Sequence, residues 1–331
     1  MKSLIQWLPP AWAHGLAPVG LGVYTSFKKF PTREWRSFEF AGLKFPNPLG
    51  IPGGMDKNGT SLETWKALGA GFIEVGTVTP YAQQGNPGTV IDRDWKEQLL
   101  WNKLGFPSHG SDDVYYNLKS QKSDLNIPLF VNIGKNRSRP NEEAEVDYIY
   151  LADRFSEVAD ALVVNVSSPN TLGLRDLQKN LGLWLRKVIE AARGKPVLVK
   201  LSPDLLQEDL FSCLDQCEEA GCAGFILTNT TSQRPLQSRF PSEGGLSGKF
   251  LTETSRELLK KSLQHLGRRK DHLLVVSVGG ILTPEEALLR LNLGADLVQT
   301  YSGLVFHGPR FFEETYQLEL QKRNLNPRVE P

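Results

Sequence analysis

The sequence is poor in the residues that build disulfides and metal sites. The 331-residue chain has only three cysteines and five histidines. Cys213, Cys217 and Cys222 are too few for a disulfide framework in a chain of this length, and their spacing falls within one stretch of helical pattern. We interpret them as reduced thiols that pack in the core. The scattered histidines form no His-Glu-x-x-His or similar ligand set, so no metal site is predicted.

The sequence also lacks an excess of charge of either sign. It has 38 Lys and Arg against 37 Asp and Glu, a net charge of +1. A nucleic-acid-binding protein normally carries a strong basic excess, so none is expected as a partner, and no obligate protein partner is inferred. Because 40% of the residues are hydrophobic and 23% are charged, wholesale disorder is excluded. The length allows one large domain or two small ones.

The beginning of the chain lacks charged residues altogether. No Asp, Glu, Lys or Arg occurs between Lys2 and Lys28, a stretch long enough to raise the question of a transmembrane helix. Pro9, Pro10 and Pro18 fall within this stretch, and prolines interrupt the hydrogen bonding of a helix interior. We therefore predict that it does not cross a membrane.

Targeting signals fit this stretch no better. The apolar run Leu4–Leu8 is too short for the core of a secretory signal and is interrupted by Gln6, and no transit peptide rich in Arg and Ser is visible. The pattern instead predicts two short apolar helices, at about Ser3–Leu8 and Pro10–Ala17, with a further turn near Gly20–Phe27.

Two interpretations of these helices stay open on the residues alone. Trp7 and Trp12 suit the headgroup level of a bilayer. Basic residues follow them, at Lys28, Lys29, Arg33 and Arg36. This order favours a segment that lies on an anionic membrane surface. The alternative is a helical cap that packs on the core of the main domain.

From residue 38 onwards the pattern becomes that of an α/β protein. Phe38–Phe45 alternates and turns at Ala41-Gly42, which predicts a small hairpin. Short apolar runs then alternate with amphipathic helical stretches. The runs are Pro48–Ile51, Gly71–Val75, Leu129–Ile133, Ala161–Val166, Val197–Leu201, Gly224–Thr228, Leu274–Val278 and Asp296–Thr300. Near-continuous apolar strands separated by helices indicate a parallel sheet buried on both faces.

Eight such units predict a (β/α)8 TIM barrel. A doubly wound sheet is the alternative, but it should show Gly-x-Gly-x-x-Gly after its first strand, and Gly50-Ile-Pro-Gly-Gly does not fit. We predict an α/β fold in which residues 38–331 form the barrel and residues 1–37 form a short N-terminal helical, membrane-associating extension.

The predicted carboxyl ends of the strands carry amides, hydroxyls and two lysines, with almost no carboxylates and no histidine. Asn132, Asn165, Asn170 and Asn229 would share one rim, where chemistry is located in such barrels. A single Asn after a strand is usually a turn residue, but four on one rim indicate a site. Amides present paired donors and acceptors, which suit a planar heterocycle.

Glycine-rich loops follow the last predicted strands, at Gly279-Gly280 and Tyr301-Ser302-Gly303, and Gly244–Gly248 adds to them. Backbone N–H groups of such loops commonly bind phosphate in barrels, although ordinary tight turns are the alternative. A phosphate pocket beside a heterocycle pocket indicates a mononucleotide cofactor. Lys200 would stabilise a reduced flavin there, unless it forms a buried ion pair.

Ser168 is the candidate base, at the end of the fourth strand and beside Pro169. No His–Asp pair accompanies it, so a hydrolase triad is unsupported. A serine can still act as a general base for a carbon-bound proton if its own proton passes on to water and geometry holds it in place.

Taken together, these residues resemble the quinone-dependent, membrane-associated class (class 2) of dihydroorotate dehydrogenases, over essentially the whole chain. Single motifs are weak, but their shared order is specific. The motifs are Asp56-Lys57-Asn58-Gly59, Gly76-Thr77-Val78-Thr79-Pro80, Gly85-Asn86-Pro87, Asn102-Lys-Leu-Gly105-Phe106, Asn132-Ile-Gly134-Lys135-Asn136, Asn165-Val-Ser-Ser-Pro-Asn-Thr171, Thr228-Asn-Thr-Thr231, Gly244-Gly-Leu-Ser-Gly248 and Gly279-Gly280.

The resemblance implies oxidation of (S)-dihydroorotate to orotate in pyrimidine (UMP) synthesis, with one noncovalent FMN per chain and a membrane quinone as acceptor. The base falls on Ser168. The implied orotate pocket is Lys57, Asn102, Gly105, Phe106, Asn165, Asn170, Asn229 and Thr230. The implied FMN site is Gly53, Thr77, Asn132, Asn165, Lys200, Thr228, Ser247, Gly248, Gly280, Tyr301 and Ser302.

The resemblance also implies that the N-terminal helices form a quinone tunnel and a membrane face, with His14, Arg93 and Tyr301 near the inner end of the tunnel. This favours the membrane interpretation of residues 1–37 and predicts a peripheral protein on the cytoplasmic side of the inner cell membrane. Three departures concern the tunnel and its surroundings. Met55 and Pro107 replace the family's usual Phe and Asn, and an Arg usual near Gly88–Arg93 is missing.

Two other functions stay open beside this one. The first is another FMN barrel that oxidises or reduces a dihydropyrimidine or dihydrouridine. The second is a non-catalytic membrane-surface protein that keeps the fold. The presence of Ser168, Lys57 and Lys200 argues against the second.

Overall fold

The computed structural model describes residues 10–325, without the side chains of residues 11–18 and 179–180. The helix predicted at Ser3–Leu8, and Trp7 within it, lie outside the described residues. The side chains of Trp12 and His14 lie outside them as well.

Within residues 10–325 the strands alternate with helices. In chain order the strands are β1 (Phe38–Phe40), β2 (Leu43–Phe45), β3 (Leu49–Asp56), β4 (Phe72–Val78), β5 (Ile91–Asp94), β6 (Leu99–Asn102), β7 (Leu129–Ile133), β8 (Ala161–Asn165), β9 (Val197–Leu201), β10 (Gly224–Leu227), β11 (Gly245–Gly248), β12 (Leu274–Val278) and β13 (Leu297–Gln299).

The α-helices of the same region are α1 (Pro10–Phe27), α2 (Leu62–Ala67), α3 (Ser111–Gln121), α4 (Ala144–Phe155), α5 (Leu181–Ala191), α6 (Gln207–Glu219), α7 (Thr252–Leu266), α8 (Pro284–Asn292), α9 (Ser302–Phe306) and α10 (Phe311–Leu325). Short 3₁₀ helices cover Lys122–Asp124, Asn141–Glu143, Leu174–Asn180, Lys249–Leu251 and Gly267–His272.

Eight parallel strands close into a barrel in the order β3-β4-β7-β8-β9-β10-β12-β13. Each predicted apolar run coincides with one of them, so the TIM barrel is confirmed. The first strand continues past the predicted end at Ile51 to Asp56, with an irregular register between these residues. Its sequence there, Pro-Gly-Gly-Met, carries no strand signal, and pairing with β4 decides its length.

The barrel has a hydrophobic end and a polar end. Because strand side chains alternate between faces, the interior carries Phe72 and Phe130 at the amino-terminal end. Phe45 of the predicted hairpin, which is confirmed as β1 and β2, packs against both rings, with centroids 6.0 and 6.1 Å away. The hairpin thereby closes this end, and the opposite end is free for chemistry.

The N-terminal helix differs from the prediction. The predicted helix at Pro10–Ala17 and the turn near Gly20–Phe27 are one continuous helix, α1, which passes through Pro18. Pro10 lies at its first position, where a missing N–H costs nothing. Leu21 and Tyr24 pack against the hydrophobic core, and this packing outweighs the hydrogen bond that Pro18 removes. Within the described part of the chain, no helix combines the length and the apolarity that a bilayer crossing requires.

A three-stranded antiparallel sheet, β5-β6-β11, lies beside the barrel and was missed by the sequence analysis. Gly245–Gly248 was expected to be a loop, but it pairs with Leu99–Asn102 as a strand. The pairing joins segments more than a hundred residues apart, so local pattern does not reveal it.

The cysteines behave as predicted. Cys213, Cys217 and Cys222 are free thiols buried in the core. Burial raises the pKa of Cys222 to about 12, which keeps it protonated at neutral pH.

Candidate active site

The polar end of the barrel opens into a cavity. Nearly all the residues predicted for the substrate, the cofactor and the base line it, although they come from strands and loops far apart in the chain. Those lining it are Gly53, Lys57, Thr77, Asn102, Gly105, Phe106, Asn132, Asn165, Ser168, Asn170, Lys200, Thr228, Asn229, Thr230, Ser247, Gly280, Tyr301 and Ser302.

Among the predicted residues whose side chains the structure describes, two do not line this cavity. Gly248 supports it from behind: a Cβ at this position would lie 2.1 Å from the carbonyl oxygen of Gln98, and its φ is +88°. The position therefore requires glycine so that β11 can approach the β5–β6 hairpin. Arg93 of β5 also lies outside the cavity lining.

Ser168 lies in the loop after β8 and is buried. Its Oγ accepts a hydrogen bond from the backbone N–H of Asn170, at 3.2 Å. A donor to this oxygen favours its anionic form, which a proton-accepting role requires.

Three of the predicted amides, Asn132, Asn165 and Asn229, form one connected network beside Ser168. Asn165 donates to the Oγ1 of Thr77 at 2.9 Å and to the Oδ1 of Asn132 at 3.2 Å. Asn229 donates to the Oγ of Ser167 at 3.0 Å. These bonds fix the orientation of each amide, so the cavity presents donors and acceptors in defined places.

Beneath the amides lies an ion pair that combines a predicted residue with one the sequence analysis missed. Lys200 Nζ lies 2.9 Å from Glu74 Oε1, and Glu74 is fully buried. Gln299 donates to Glu74 Oε2 at 2.7 Å, and Asn132 donates to Oε1. The buried ion pair is therefore confirmed, and Lys200 also lines the cavity; its role towards a flavin stays a prediction. The signal for Glu74 was its position as the one carboxylate within the apolar run Gly71–Val75.

Lys57 is the second cation of the cavity. Burial lowers its pKa to about 8, and the negative charge of Asp56 opposes this shift. A lysine that loses its proton so readily gains from an anionic ligand, because a carboxylate beside it restores the preference for the charged form.

The family model for dihydroorotate dehydrogenase matches residues 37–323. The chain belongs to the dihydroorotate dehydrogenase family. Two curated relatives are both named dihydroorotate dehydrogenase (quinone). One, from Mycobacterium ulcerans, is 39% identical over 93% of this chain and 88% of its own. The other, from Xylella fastidiosa, is 40% identical over 86% of this chain and 84% of its own.

The same family appears among solved structures. The crystal structure of the Eimeria tenella dihydroorotate dehydrogenase (DHODH) in complex with ferulenol superposes with a TM-score of 0.85. It shares 32% sequence identity and covers 96% of this chain and 92% of its own. The ligand-free structure of the same enzyme gives a TM-score of 0.83.

The cavity fits the flavin that the dihydroorotate dehydrogenase family implies. Asn170 Oδ1 and Gln299 Oε1 are buried without a hydrogen-bond partner among the described residues, and both side chains line the cavity. A Cβ at Gly53 would lie 2.5 Å from Glu74 Oε1, so the floor here is bare backbone. Unpaired amide oxygens over such a floor are the features that a polar, planar ligand satisfies.

The other wall of the cavity is the Gly279-Gly280 turn after β12. Both glycines have positive φ, +107° and +66°, and a Cβ on Gly280 would lie 2.4 Å from the backbone nitrogen of Thr252. The turn is pressed against the first residue of α7, a helix whose amino terminus carries partial positive charge. This combination suits a phosphate group.

An aromatic cluster lies on the side of the cavity that faces the N-terminal segment. The Arg93 guanidinium is 5.2 Å from the ring centroid of Trp95, and Trp95 meets the edge of Phe306 at 5.1 Å. Tyr301 joins this cluster and also lines the cavity. Because β5, which carries Arg93, contacts α1, the cluster connects the cavity with the helix.

The departures from the family pattern are divided between two places. Pro107 lines the cavity. Met55 is buried in the hydrophobic core.

Proposed function

We propose that this chain oxidises (S)-dihydroorotate to orotate, with a noncovalent FMN in the barrel mouth and a membrane quinone as the final electron acceptor. The observation that carries the proposal is the convergence of Ser168, the amide network and the Lys200–Glu74 pair on one cavity. This occurs in a chain whose relatives are named for the quinone-dependent reaction. The reaction is the redox step of pyrimidine synthesis.

The substrate side of the cavity combines one cation with several neutral amides. Protonated Lys57 would bind the substrate carboxylate. The amides of Asn102 and Asn170, joined at 2.8 Å, and of Asn165 and Asn229 would pair with the C=O and N–H groups of the dihydropyrimidine ring. Gly105, Phe106 and Thr230 would complete this pocket.

The oxidation removes a proton from one ring carbon and a hydride from its neighbour. Ser168 Oγ would take the proton from the ring carbon while its own hydroxyl proton passes on to water, and the Asn170 N–H together with the Lys57 cation would favour the negative charge on this oxygen. The flavin, when bound, supplies the acceptor for the hydride. Lys200 would hold a positive charge against the cofactor, and Glu74 would hold Lys200 in place.

On the cofactor side, the floor of the cavity is bare backbone at Gly53 and polar at the Lys200–Glu74 pair. The Gly279-Gly280 turn forms the part of the wall that suits a phosphate. Gly53, Thr77, Asn132, Asn165, Lys200 and Thr228 would bind the flavin ring and its side chain. Ser247, Gly280, Tyr301 and Ser302 would surround the phosphate, with Gly248 behind Ser247.

Residues 1–37 would form the membrane face and the quinone tunnel, as a segment distinct from the catalytic barrel of residues 38–331. Val19, Val23 and Phe27 of α1 are 66%, 57% and 90% exposed, and their spacing of four places them on one helix face. Lys28 and Lys29 follow at once. An apolar stripe next to basic residues favours peripheral binding to an anionic surface, which we assign to the cytoplasmic side of the inner cell membrane.

The test is an anaerobic titration of the purified protein with dihydroorotate. We expect a yellow protein that releases free FMN on acid treatment and whose flavin absorbance bleaches on addition of dihydroorotate. Dihydrouracil, which lacks the carboxylate, should not bleach it. A colourless protein, a covalent flavin, or bleaching by dihydrouracil alone would contradict the proposal.

A further inference from the structure

Arg290 of α8 is completely buried, behind the Gly279-Gly280 turn and outside the cavity lining. Its Nη2 donates to the carbonyl oxygen of Thr252 at 2.8 Å, to Ser255 Oγ at 2.9 Å and to the carbonyl oxygen of Gly279 at 3.4 Å. Its Nη1 donates to Ser277 Oγ at 3.1 Å. One guanidinium therefore joins β12, the turn that follows it and the start of α7.

The carbonyl groups of the turn point towards Arg290 and the start of α7. Gly279 O also accepts from Ser255 Oγ, and Gly280 O accepts from Thr252 Oγ1, both at 2.7 Å. The peptide bonds of the turn are trans, so each N–H points away from the carbonyl of the same peptide group. Holding these carbonyls against α7 therefore directs the N–H groups of Gly280 and Ile281 away from α7, and both residues line the cavity.

Arg290 also brings charge to this place. Its Nε donates to Glu286 Oε1 at 2.6 Å, and Arg256 shares the same carboxylate through Nη2 at 2.6 Å. Two guanidinium groups on one largely buried carboxylate leave a net positive charge behind the turn. The further partner of Arg256, Glu253, is exposed, and solvent screens its charge.

Burying a cation is unfavourable because the charge loses its hydration. An apolar side chain of similar volume would avoid the desolvation of the guanidinium, and such replacements are often neutral or stabilising. Packing alone therefore does not account for an arginine at this position. Three of its hydrogen bonds go to the turn and to the residues of α7 that hold the turn, namely Gly279, Thr252 and Ser255.

We propose that Arg290 is a positioning residue for the cofactor phosphate: it orients the Gly279-Gly280 turn so that its amides face the phosphate, and it adds positive charge behind them. This inference rests on the proposed function, since it takes the phosphate to be that of FMN. It adds a residue from outside the cavity to the site.

The test compares FMN with riboflavin, which lacks only the phosphate. The full-length chain is freed of flavin and titrated with each, following flavin fluorescence, for the wild type, Arg290→Met and Arg290→Lys. Arg256→Met is the matched control, because it removes an arginine from the same carboxylate without touching the turn. The urea midpoint of each variant reports its folding.

We expect Arg290→Met to weaken FMN binding about tenfold or more, the scale of a lost hydrogen bond to a charged group, with riboflavin affinity unchanged. Arg290→Lys should bind FMN more tightly than Arg290→Met but more weakly than the wild type, because lysine keeps the positive charge and lacks the several N–H donors of the guanidinium. Arg256→Met removes positive charge but none of the bonds to the turn, so it should lower the ratio of FMN to riboflavin affinity by less than Arg290→Met does.

Equal losses for FMN and riboflavin in Arg290→Met would assign the residue a purely structural role and overturn the inference. If Arg290→Met does not fold, Arg290→Lys decides: an unchanged FMN-to-riboflavin ratio overturns the inference. Bleaching of the wild-type flavin by dihydroorotate judges the proposed function separately. A wild type that bleaches but prefers FMN no more than riboflavin refutes only the phosphate assignment, whereas a wild type that binds neither flavin refutes both.

Discussion

At the scale of single residues, the proposed chemistry depends on how three polar groups are held in a site that is mostly buried. Ser168 has a backbone donor on its Oγ, Lys57 is desolvated, and Lys200 is neutralised by Glu74. Each arrangement makes a separate prediction.

Ser168→Ala should retain FMN and lose reduction by dihydroorotate by roughly 10²–10⁴-fold, the usual contribution of a general base. The hydroxyl has no predicted role in holding the cofactor, so binding is preserved. Stopped-flow bleaching at neutral pH measures the rate. Ser168→Cys should keep some activity, because a thiol reaches its anionic form more readily. An alanine variant with near wild-type rates at every pH would show that another group takes the proton.

Affinity for dihydroorotate should fall as the pH rises above about 8, the lowered pKa of Lys57. Below that pH the ammonium is present to pair with the substrate carboxylate, and above it the neutral amine offers no charge. The substrate in turn raises the pKa of Lys57, so the decline continues towards the ordinary lysine value. Dissociation constants measured from neutral pH upwards test this.

Lys57→Met supplies the control for this pH dependence. It should bind weakly and lose the decline, since methionine has no proton to release. A wild-type affinity that stays constant through this range would remove Lys57 from the carboxylate site.

Glu74→Gln should raise the flavin midpoint potential by about 30 mV or more, which is about 1.4 kcal/mol for two electrons. The substitution removes the negative charge paired with Lys200 and leaves the site more positive, which favours the reduced anionic flavin. Spectroelectrochemical titration measures it. The matched control is Glu319→Gln, another buried carboxylate, which pairs with Arg36 away from the cavity. A lower or unchanged potential in Glu74→Gln would contradict this role.

At the scale of elements, α1 has two different faces. Leu21 and Tyr24 pack against the barrel core, while Val19, Val23 and Phe27 are exposed on the other side. A helix that served only as a cap would not need the exposed apolar stripe. The stripe is therefore the part of α1 on which membrane binding should depend.

Replacing Val19, Val23 and Phe27 together by Ser should reduce binding to vesicles of anionic phospholipid about tenfold or more, because the apolar area that enters the lipid is lost. Reoxidation of the flavin by a long-chain quinone in those vesicles should slow, while a water-soluble acceptor stays equally effective. The control replaces three exposed leucines elsewhere, Leu183, Leu206 and Leu236. Equal vesicle binding by both triple variants and the wild type would make α1 a cap.

At the scale of the whole molecule, the barrel separates stability from chemistry. The hairpin that carries Phe45 closes one end with an aromatic cluster, and the polar layer with Glu74, Lys200 and Gln299 forms the floor of the other. This division is typical of TIM barrels, where the carboxyl ends of the strands carry the site.

Phe45→Ala should lower the free energy of unfolding by about 3–5 kcal/mol, as for other buried phenylalanines, with the FMN and dihydroorotate affinities unchanged. The reason is the cavity it leaves between Phe72 and Phe130, at the end away from the site. Urea unfolding and flavin titration measure the two quantities. An equal loss of flavin affinity would show that the two ends are coupled.

The strands of the barrel and most of the residues that line its cavity can be predicted from local sequence. Each apolar run from Pro48–Ile51 to Asp296–Thr300 corresponds to a barrel strand, because a strand buried on both faces must be apolar throughout. The carboxyl ends of parallel strands meet at one rim, so the sequence predicted that residues such as Asn132, Ser168 and Asn229 lie close together, and all three line the cavity. Local hydrophobicity and chain direction were sufficient for both.

Contacts between distant parts of the chain, in contrast, depend on the tertiary structure. Glu74 meets Lys200, Gly245–Gly248 pairs with Leu99–Asn102, and Arg290 braces Gly279. The same holds for α1, which continues through Pro18 because packing on the barrel outweighs one lost hydrogen bond. Local sequence pattern indicates how much of a segment will be buried. It does not indicate which group will neutralise a buried charge or which strand will pair with an edge, because that depends on which segments the closed barrel brings together.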